Sequence, residues 1–457
     1  MGTRPKSLLV AAAASALAMG VGLSGTALAS PTPTQPAHTL PQNSRLYIPQ
    51  PDKGAVKQVV DLLHQRDIKD AALVARMALT PQAVWFTSGT PNDVKTSVQQ
   101  TVRNAAAHKA VPVLVVYNVP GRDCSQYSSG GAGSNSAYQA WIDGFVKGLG
   151  NASAIIVVEP DGLANLPRDC PSAYPGQDVN ALTAGRIADI RYAAESIESK
   201  DANSLVYLDA GHSAWHSVPD ATTRLIAAGV NEVQGFSLNT SNYQYTANLD
   251  EYGTWISDCI ALDNAGQGTG NCGDMYWSGG PANNWAGVTL SPYGQWSETA
   301  AAPTLNTAGI DSRYASVMTG ITPTAHFIVD TSRNGNGPNN MSAYAAAPYN
   351  QPANVVSSLV GGNWCNPPGS GLGLAPTTHT GVALVDAYLW VKTPGQSDGQ
   401  CNIAGGARAW DYTQYNPWNW DATQQQNNDP LWGLADPAAG TWFPQQALQL
   451  AQLANQQ

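Results

Sequence analysis

The stretch IIVVEPDGLA at residues 155–164 joins a short apolar run to two carboxylates at its end. Consecutive β-branched residues of this kind suit a strand of a parallel sheet, which is buried on both faces. Comparable runs recur along the chain, and we predict strands at Ala83–Phe86, Pro112–Tyr117, Ala154–Val158, Leu205–Leu208, Val233–Leu238, His326–Val329 and Ala383–Val391.

Amphipathic stretches separate these runs, with apolar residues at helical spacing. We predict helices at Ala55–Gln65, Val94–His108, Ala137–Leu149, Val179–Ser199 and Ala221–Ala228. Strands that alternate with helices indicate an α/β fold, and here a closed or nearly closed barrel of about seven or eight strands.

Polar residues collect where the predicted strands end. The carboxyl ends of parallel barrel strands meet at one rim, which is where barrel enzymes place their chemistry. A single carboxylate at such a position is as often a helix cap or a turn residue. Several strands with the same pattern indicate a functional site instead. The strand ends carry Tyr117 with Asp123, Glu159 with Asp161, Asp209 with His212, Asn239, Asp330 with Arg333, and Lys392 with Asp398.

The composition excludes two classes of protein. The 457 residues include 22 Lys+Arg against 32 Asp+Glu, a net charge of −10, which argues against a partner nucleic acid because phosphates require a basic face. Charged residues make up only 12% and hydrophobic residues 43%, which excludes a disordered chain. Trp outnumbers Phe by 14 to 5, although Phe fills a core without needing a hydrogen-bond partner.

The first residues predict export from the cell. Arg4 and Lys6 precede an apolar run, and Ala27-Leu28-Ala29 has the small-x-small pattern of a signal-peptide cleavage site. The run is too short and too interrupted by glycine for a membrane anchor. We predict a signal peptide at 1–29, a Pro/Thr-rich tether at 30–42 and a single domain at 43–457, secreted and without a membrane partner.

The even number of cysteines in an exported chain predicts disulfides, and neither C-x-x-C nor a zinc-like His/Cys spacing is present. The six cysteines allow on the order of 15 pairings by spacing alone. Cys259 with Cys272 is the simplest local pair.

Paired carboxylates without metal, phosphate or histidine-base motifs favour glycoside hydrolysis, in which one carboxyl group protonates the leaving oxygen. Indole rings bind the apolar faces of sugars, which would explain the excess of Trp. Three other patterns carry less weight. Residues 395–399 match G-x-S-x-G, but no helix follows Ser397; the glycines at 129–133 lack a phosphate-binding lysine; His212 and His216 have no further metal-ligand partner. We predict neither a metal nor a cofactor.

Several segments resemble the cellulases of glycoside hydrolase family 6. The resemblance lies in VYNVPGRDC at 116–124, IIVVEPDGLA at 155–164, FIVDTSRNGNG at 327–337, WCNPP at 364–368, and Trp390-Val391-Lys392 with Ser397-Asp398-Gly399. It implies a distorted, TIM-like (β/α) barrel of about seven parallel strands with large loop insertions, and a single glycoside hydrolase catalytic domain at 43–457.

The resemblance implies an inverting β-1,4-glucanase with a β-1,4-glucan as its partner, and we expect a secreted monomer. Asp161 would be the general acid, and the nearby Asp123 would help to keep it protonated. Asp398 matches the position of the base, acting directly or through a second water. Ser129 would hold that water, and Tyr117 would favour distortion of the sugar.

Further residues are implied to bind substrate or to form disulfides. The predicted substrate-binding residues are Trp85, Asp209, His212, Trp215, Asn239, Trp364, Lys392 and Gln396, of which Gln396 replaces the usual glutamate of the family. The implied bridges are Cys124–Cys170 and Cys365–Cys401, which leave Cys259–Cys272 as an addition.

The loops leave the mode of attack open. The short segments between Asp123 and Tyr138 and between Asp398 and Cys401 resemble those of open-cleft relatives and favour endo-action. Two Trp-rich insertions, from about Tyr243 to Thr322 and from Asn402 to Asp436, keep exo-action as the alternative. A non-catalytic carbohydrate-binding scaffold is a further alternative, suggested by Gln396. We expect most of the insertion tryptophans to line the sugar groove.

Overall fold

The computed structural model describes residues 44–201, 203–276, 289–347, 349–401, 428–429 and 431–454. Its ten helices are α1 Lys53–His64, α2 Ile68–Ala78, α3 Pro91–Ala107, α4 Asn135–Leu149, α5 Val179–Glu198, α6 Val218–Ala227, α7 Thr246–Asn264, α8 Ala308–Val317, α9 Ala353–Gly361 and α10 Pro444–Gln452. Its nine strands are β1 Val84–Phe86, β2 Val113–Val116, β3 Ile155–Val158, β4 Leu205–Asp209, β5 Gly235–Leu238, β6 His326–Asp330, β7 Val385–Leu389, β8 Asn428–Asp429 and β9 Leu434–Ala435.

The first seven strands form one parallel sheet in chain order, β1 to β7, and each coincides with a predicted apolar run. Consecutive parallel strands require crossover connections, which the intervening helices supply. The sheet curls until its edges meet, because Ala83 N donates to Trp390 O at 3.0 Å, just beyond β7. The α/β, TIM-like barrel of seven parallel strands is therefore confirmed.

Side chains of the strands alternate between two cores. In β2 and β3, Val113, Val115, Ile155 and Val157 pack with one another inside the barrel. Their neighbours along the strands, Leu114, Val116, Ile156 and Val158, pack against the surrounding helices in an outer core. Burial on both faces explains why each strand reads as a continuous apolar run.

Two tryptophans of the first insertion are buried in the outer core. Trp255 of α7 stacks on Trp296 with ring centroids 5.7 Å apart, and their side chains are only 1% and 4% exposed. Their indole N–H groups donate to Asp311 and to Ser291 O. The prediction that the insertion tryptophans line the groove is therefore wrong for these two. Trp277, Trp285, Trp410, Trp418 and Trp420 lie outside the described residues.

Three disulfides tie these elements together and confirm the expected pairs: Cys124–Cys170, Cys259–Cys272 and Cys365–Cys401. The first and third flank the loops that carry Asp123 and Asp398. The segment limits proposed before residue 43 stay predictions, because those residues lie outside the described part.

Candidate active site

A cleft of about 390 Å³ opens at the carboxyl ends of the barrel strands. Most of the predicted site residues meet there, although they come from distant parts of the sequence. The predicted residues that line the cleft are Trp85, Tyr117, Asp123, Asp161, His212, Trp215, Trp364, Lys392 and Asp398.

Asp161 is aimed by an unusual turn after β3. Its φ of 60° lies in the left-handed region, which a non-glycine residue adopts only when its surroundings fix it. Its backbone N–H donates to Asp209 Oδ1 at 3.0 Å. The preceding Glu159 is fully buried, and its carboxylate accepts hydrogen bonds from the N–H groups of Asn118 and Val119. The turn is thus held from two neighbouring strands.

The environment of Asp161 favours the protonated carboxyl group. Burial raises the pKa of Asp161 well above its usual range, and the charges of Asp209 and Asp123 raise it further. Its Oδ1 atom is buried and has no hydrogen-bond partner among the described residues. An unpaired oxygen of this kind is costly when charged and inexpensive when the group is neutral.

Asp123 lies on the loop after β2 and has a φ of 57°. Its Oδ2 accepts from Ser128 N at 2.7 Å, and the Arg122 guanidinium fixes the loop by donating to three carbonyls: Thr87 O, Tyr117 O and Ser128 O. Burial raises the pKa of Asp123 to about 6, although the Ser128 N–H and Arg122 oppose the rise. Asp123 is therefore ionised at neutral pH and contributes charge near Asp161.

Asp398 is surrounded by donors. Arg333 donates to both of its oxygens at 2.9 and 3.0 Å, and Lys392 Nζ lies 3.2 Å from Oδ1. Tyr243 Oη and Asn366 N donate to Oδ2 at 2.8 and 3.0 Å. Burial opposes ionisation, but Arg333 and Lys392 outweigh it and lower the pKa of Asp398 to about 2. This carboxylate is ionised throughout the ordinary pH range.

A buried carboxylate beneath the rim positions Lys392. Asp330, at the end of β6, accepts N–H groups from Ser332 and Val391 on one oxygen and from Ser241 and Lys392 on the other, at 2.9 to 3.2 Å. The loops after β5, β6 and β7 therefore share one anchor. This arrangement holds the cations that surround Asp398 in a fixed place.

Aromatic rings form the walls of the cleft. Trp85 meets Tyr117 edge to face at 5.4 Å and is fixed by its Nε1 donating to Val391 O at 2.8 Å. Trp215 stacks on His216 with centroids 5.8 Å apart, while Trp364 lies beside Tyr127. Half-buried indole rings on the cleft wall suit the apolar faces of sugar rings.

Four predicted residues lie outside the cleft lining. Asn239 is fully buried and donates to Asp330 O, so it cannot touch a sugar. Asp209 is 1% exposed and lies beneath Asp161, where it acts on that carboxyl group rather than on substrate. Ser129 is exposed outside the cleft lining, which its neighbour Ser128 joins. Gln396 points away and donates to Asp52 Oδ2 at 2.9 Å.

Sequence reasoning gave no role to three residues that fix Asp398, namely Arg333, Tyr243 and Asn366. Arg333 stands at the end of a predicted strand, which was the available signal. Its guanidinium lies over the Tyr243 ring at 4.4 Å. Nothing in the spacing of Tyr243 or Asn366 indicates that their loops converge on Asp398.

The structure bears on the candidate nucleophile of the G-x-S-x-G match. Ser397 is fully buried and its hydroxyl donates to Pro437 O at 2.8 Å, so it is no exposed nucleophile. Among the described residues, one group of possible metal ligands lies close together, Cys401 with Asp429 and Asp436. Its sulfur is bonded to Cys365, so it offers no thiolate to a metal.

The family model of the glycosyl hydrolases family 6 matches residues 41–454. Endoglucanase A of Thermobispora bispora is 32% identical over 375 residues, which cover 82% of this chain and 61% of that protein. Endoglucanase A of Cellulomonas fimi is 33% identical over 342 residues, covering 75% and 54%. The chain thus spans less than two thirds of the length of these two relatives.

A solved structure agrees with the sequence matches. The endoglucanase Cel6 from Mycobacterium tuberculosis, in complex with methyl-cellobiosyl-4-deoxy-4-thio-β-D-cellobioside, has 29% identity and a TM-score of 0.58. The match covers 93% of this chain and 100% of that one. With the family model matched almost from end to end, this chain belongs to the glycosyl hydrolases family 6.

Proposed function

We propose that this chain is a secreted, monomeric enzyme that hydrolyses β-1,4-glucosidic bonds in cellulose and related β-glucans by an inverting mechanism, with endo-action. One observation carries the proposal. The same aromatic-walled cleft holds Asp161, whose pKa is raised well above its usual range, and Asp398, whose pKa is lowered. Two carboxyl groups with pKa values driven apart are the acid and base assignment that glycoside hydrolysis requires.

Asp161 is the proposed general acid. Burial raises the pKa of its carboxyl group, and Asp209 and Asp123 raise it further, which favours the protonated form that a general acid needs. Transfer of that proton to the glycosidic oxygen lets the leaving sugar depart as an alcohol. Asp161 then recovers a proton from solvent for the next turnover.

Asp398 is the proposed base, and its partners limit how it acts. Arg333, Lys392, Tyr243 and Asn366 already occupy both of its oxygens, which lowers its basicity. We therefore infer that it accepts the proton of the attacking water through a second water rather than directly. Inversion requires acid and base carboxyls about 6.5–9.5 Å apart, enough for such water.

The walls suit a neutral sugar polymer. Trp85, Trp215 and Trp364 offer indole faces as platforms for successive glucose rings. Tyr117 lies between Trp85 and the Asp123 loop, with Arg122 over its ring at 4.6 Å, so its hydroxyl edge can crowd the sugar at the cleavage point. Ring distortion there moves the substrate toward the oxocarbenium-like transition state.

Secretion is supported by the leader pattern at 1–29 and by the three disulfides, which persist in oxidising compartments. Within the described residues, no helix has both the length and the apolar character needed to cross a bilayer.

The anomer of the first product tests the proposal. We expect the chain to cleave cellohexaose and to release the new reducing end as the α-anomer. Proton NMR, recorded before mutarotation, detects this anomer. Release of the β-anomer would overturn the inverting mechanism. Absence of turnover would favour the alternative of a non-catalytic binding scaffold. That alternative was suggested by Gln396, which instead bonds to Asp52 outside the cleft.

Exo-action stays the second candidate, favoured by the contact between Tyr127 and Gly399, which brings together two loops beside the cleft. Viscosity of soluble cellulose separates the two modes, since interior cuts shorten chains much faster than cuts at their ends. A steep viscosity loss per reducing end is the expected result. Little viscosity loss with steady release of cellobiose would replace endo-action by exo-action.

A further inference from the structure

Two histidines in the loop after β4 present their ring nitrogens to opposite kinds of partner. His212 Nδ1 accepts the Ala214 N–H at 3.2 Å, so this nitrogen carries no proton. His216 has an acceptor at each ring nitrogen, because Asp220 Oδ2 lies 2.8 Å from Nδ1 and Ala164 O lies 2.8 Å from Nε2. His212 lines the cleft, whereas His216 lies behind the lining and has no part in the reaction proposed above.

The two partners of His216 require both of its ring protons. A backbone carbonyl and a carboxylate only accept hydrogen bonds, and a neutral imidazole has a single N–H. Loss of either proton would leave one of these contacts without a donor, around a side chain that is only 12% exposed. The contacts therefore require the imidazolium form, whose charge Asp220 balances. In return, the hydrogen bond from His216 is the main cause that lowers the pKa of Asp220 well below its usual range.

The charged and titratable groups around His216, reached directly or through Arg224, come from α6, α7 and the loops after β3 and β4: Asp220, Arg224, Asp169, Tyr252 and His212. Arg224 pairs with both Asp220 and Asp169, so His216 and Arg224 share the Asp220 carboxylate. Burial and the charge of His216 lower the pKa of His212 to about 3. His212 is therefore neutral in any ordinary assay, and its titration cannot be mistaken for that of His216.

His216 also joins two parts of the proposed site. Its ring stacks on Trp215, a proposed sugar platform, with centroids 5.8 Å apart and planes inclined by 14°. Its Nε2 bonds to Ala164, which lies in the turn closed by Asn165 N donating to Asp161 O at 2.7 Å. One ring thus contacts the platform of the loop after β4 and the backbone of the loop that carries the proposed acid.

We propose that His216 is a positioning residue, an imidazolium that fixes the Trp215 platform against the loop carrying Asp161. This inference rests on the proposed function. When His216 loses a proton, the contact with Ala164 or with Asp220 loses its hydrogen bond, and the ring behind Trp215 is no longer held from both sides. The sugar then loses a fixed platform, so substrate binding weakens as pH rises through the titration of His216. Asp161 keeps its own anchor, because Asp209 accepts its N–H.

The first measurement needs no catalysis. In the full chain labelled with ¹⁵N, NMR follows the ring nitrogens of His216 and the indole N–H of Trp215 while the pH is raised from about 5 to about 8, the range in which histidine titrates. We expect the Trp215 signal to move together with the loss of a His216 ring proton. A Trp215 signal that does not follow His216 would overturn the coupling between the two rings.

The second measurement uses His216→Phe, which keeps a flat ring against Trp215 but has neither donor. We expect KM for cellotetraose at about pH 5 to rise by about 5-fold, the loss of one ordinary hydrogen bond, while kcat changes by less than about 2-fold. KM of the unaltered chain should rise by a similar factor between about pH 5 and about pH 8, and that of the variant should not. His216→Gln keeps one donor and should show a smaller rise, and it serves if His216→Phe does not fold.

Two other groups titrate in the same range and affect both chains alike. Burial raises the pKa of Asp123 to about 6 and that of Glu159 to about 7. The difference between the two pH profiles therefore isolates His216. The matched control is His108→Phe, which removes an exposed histidine whose Nδ1 lies 2.8 Å from Asn104 O, outside the cleft lining. It should leave KM and its pH profile unchanged.

The outcomes separate the roles that His216 could have. An unchanged KM in His216→Phe, or a pH profile that still matches the unaltered chain, would overturn the positioning role. A fall in kcat without a rise in KM would overturn it too, since His216 would then act on Asp161 rather than on the platform. If the unaltered chain does not cleave cellotetraose, the proposed function fails, while the NMR titration still tests the coupling of His216 to Trp215.

Discussion

Asp161 and Asp398 follow β3 and β7 on opposite sides of the barrel mouth, and their surroundings drive protonation in opposite directions. Asp161 has an unpartnered buried Oδ1 among the described residues and two carboxylates nearby, Asp209 and Asp123. Asp398 receives hydrogen bonds or ion pairs from Arg333, Lys392, Tyr243 and Asn366. One residue type at one kind of strand end thus has a raised pKa in one place and a lowered pKa in the other.

The difference teaches that the neighbours, and not the degree of burial, decide the role of each carboxyl group. Burial raises the pKa of both residues, and around Asp398 the charges of Arg333 and Lys392, helped by the Asn366 N–H, reverse its effect. The same cations occupy the lone pairs that a strong base would offer to water. Asp398 is consequently a better electrostatic anchor than a direct base.

Removal of the proposed acid should have the largest effect. We expect Asp161→Asn to lower kcat on cellotetraose by about 10³-fold, because an amide cannot protonate the leaving oxygen. A dinitrophenyl cellobioside, whose leaving group needs no proton, should lose only about 10-fold.

The matched control is Asp143→Asn, a helix-surface carboxylate that accepts from Tyr192 at 2.9 Å. It should leave both rates unchanged. Equal losses of Asp161→Asn on the two substrates would indicate a damaged cleft and would contradict the assignment of the acid.

Disruption of the opposite side should have the next largest effect. Arg333→Met leaves Asp398 buried without its main cation, and we expect a loss of about 3–5 kcal/mol in the free energy of unfolding by denaturant. The pKa of Asp398 should then rise toward its ordinary value of about 4. Because the ionised form is required, the acid limb of the kcat/KM profile should move to higher pH.

The stability of the fold should also fall at low pH. A carboxylate with a lowered pKa stabilises the fold above its unfolded pKa, and this contribution is lost as pH falls through the folded value near 2. The control Arg224→Met also removes a buried arginine, one bound to Asp169 and Asp220 outside the cleft lining. It should lower stability but leave the acid limb in place. A shared shift of that limb would contradict the proposed role of Asp398.

Neutralisation of the charges behind the acid should have a moderate effect. Asp209→Asn removes the charge that, after burial, most raises the pKa of Asp161, and an amide oxygen can still accept the Asp161 N–H. The alkaline limb of kcat/KM should therefore move to lower pH by about one unit.

Asp123→Asn is the companion variant, because the charge of Asp123 contributes less than that of Asp209. We expect its shift to have the same direction and a smaller size. A larger shift with Asp123→Asn, measured in the same buffers, would reverse the order of the two carboxylates behind Asp161.

The barrel was predictable because its strands are buried on both faces and read as continuous apolar runs. Helix α7 was missed for a related reason, since most of its own residues, such as Tyr252, Trp255 and Ile256, are buried and its polar stripe is narrow. The excess of tryptophan suggested only sugar platforms, whereas the structure also places tryptophan in the hydrophobic core. An indole in the α7 core and an indole on the cleft wall are indistinguishable in sequence.

The acidic residues of the site were predictable from strand ends, whereas their partners were not. Asp161 and Asp123 follow neighbouring strands, so parallel topology alone brings them together. Arg333, Tyr243 and Asn366 reach Asp398 from three separate loops. Their convergence depends on loop packing, to which no periodicity corresponds. Gln396 shows the converse, because its position beside Asp398 in sequence suggested a substrate contact that the loop turns away.

Substitution of Gln396 should have the smallest effect of the variants considered. Its amide donates to Asp52, whose other oxygen caps α1 through Gly54 N at 2.7 Å. Gln396→Glu would place a second carboxylate against Asp52, and we expect a stability loss of about 0.5–1 kcal/mol by thermal unfolding. Gln396→Met removes the hydrogen bond without adding charge and should lose less stability.

Because the Gln396 side chain lies outside the cleft, KM for cellotetraose should stay within about 2-fold in both variants. A rise of KM in Gln396→Glu alone would mean that the charge at position 396 acts on Asp398. The charged surroundings of Asp398 would then include Gln396 as well as Arg333 and Lys392.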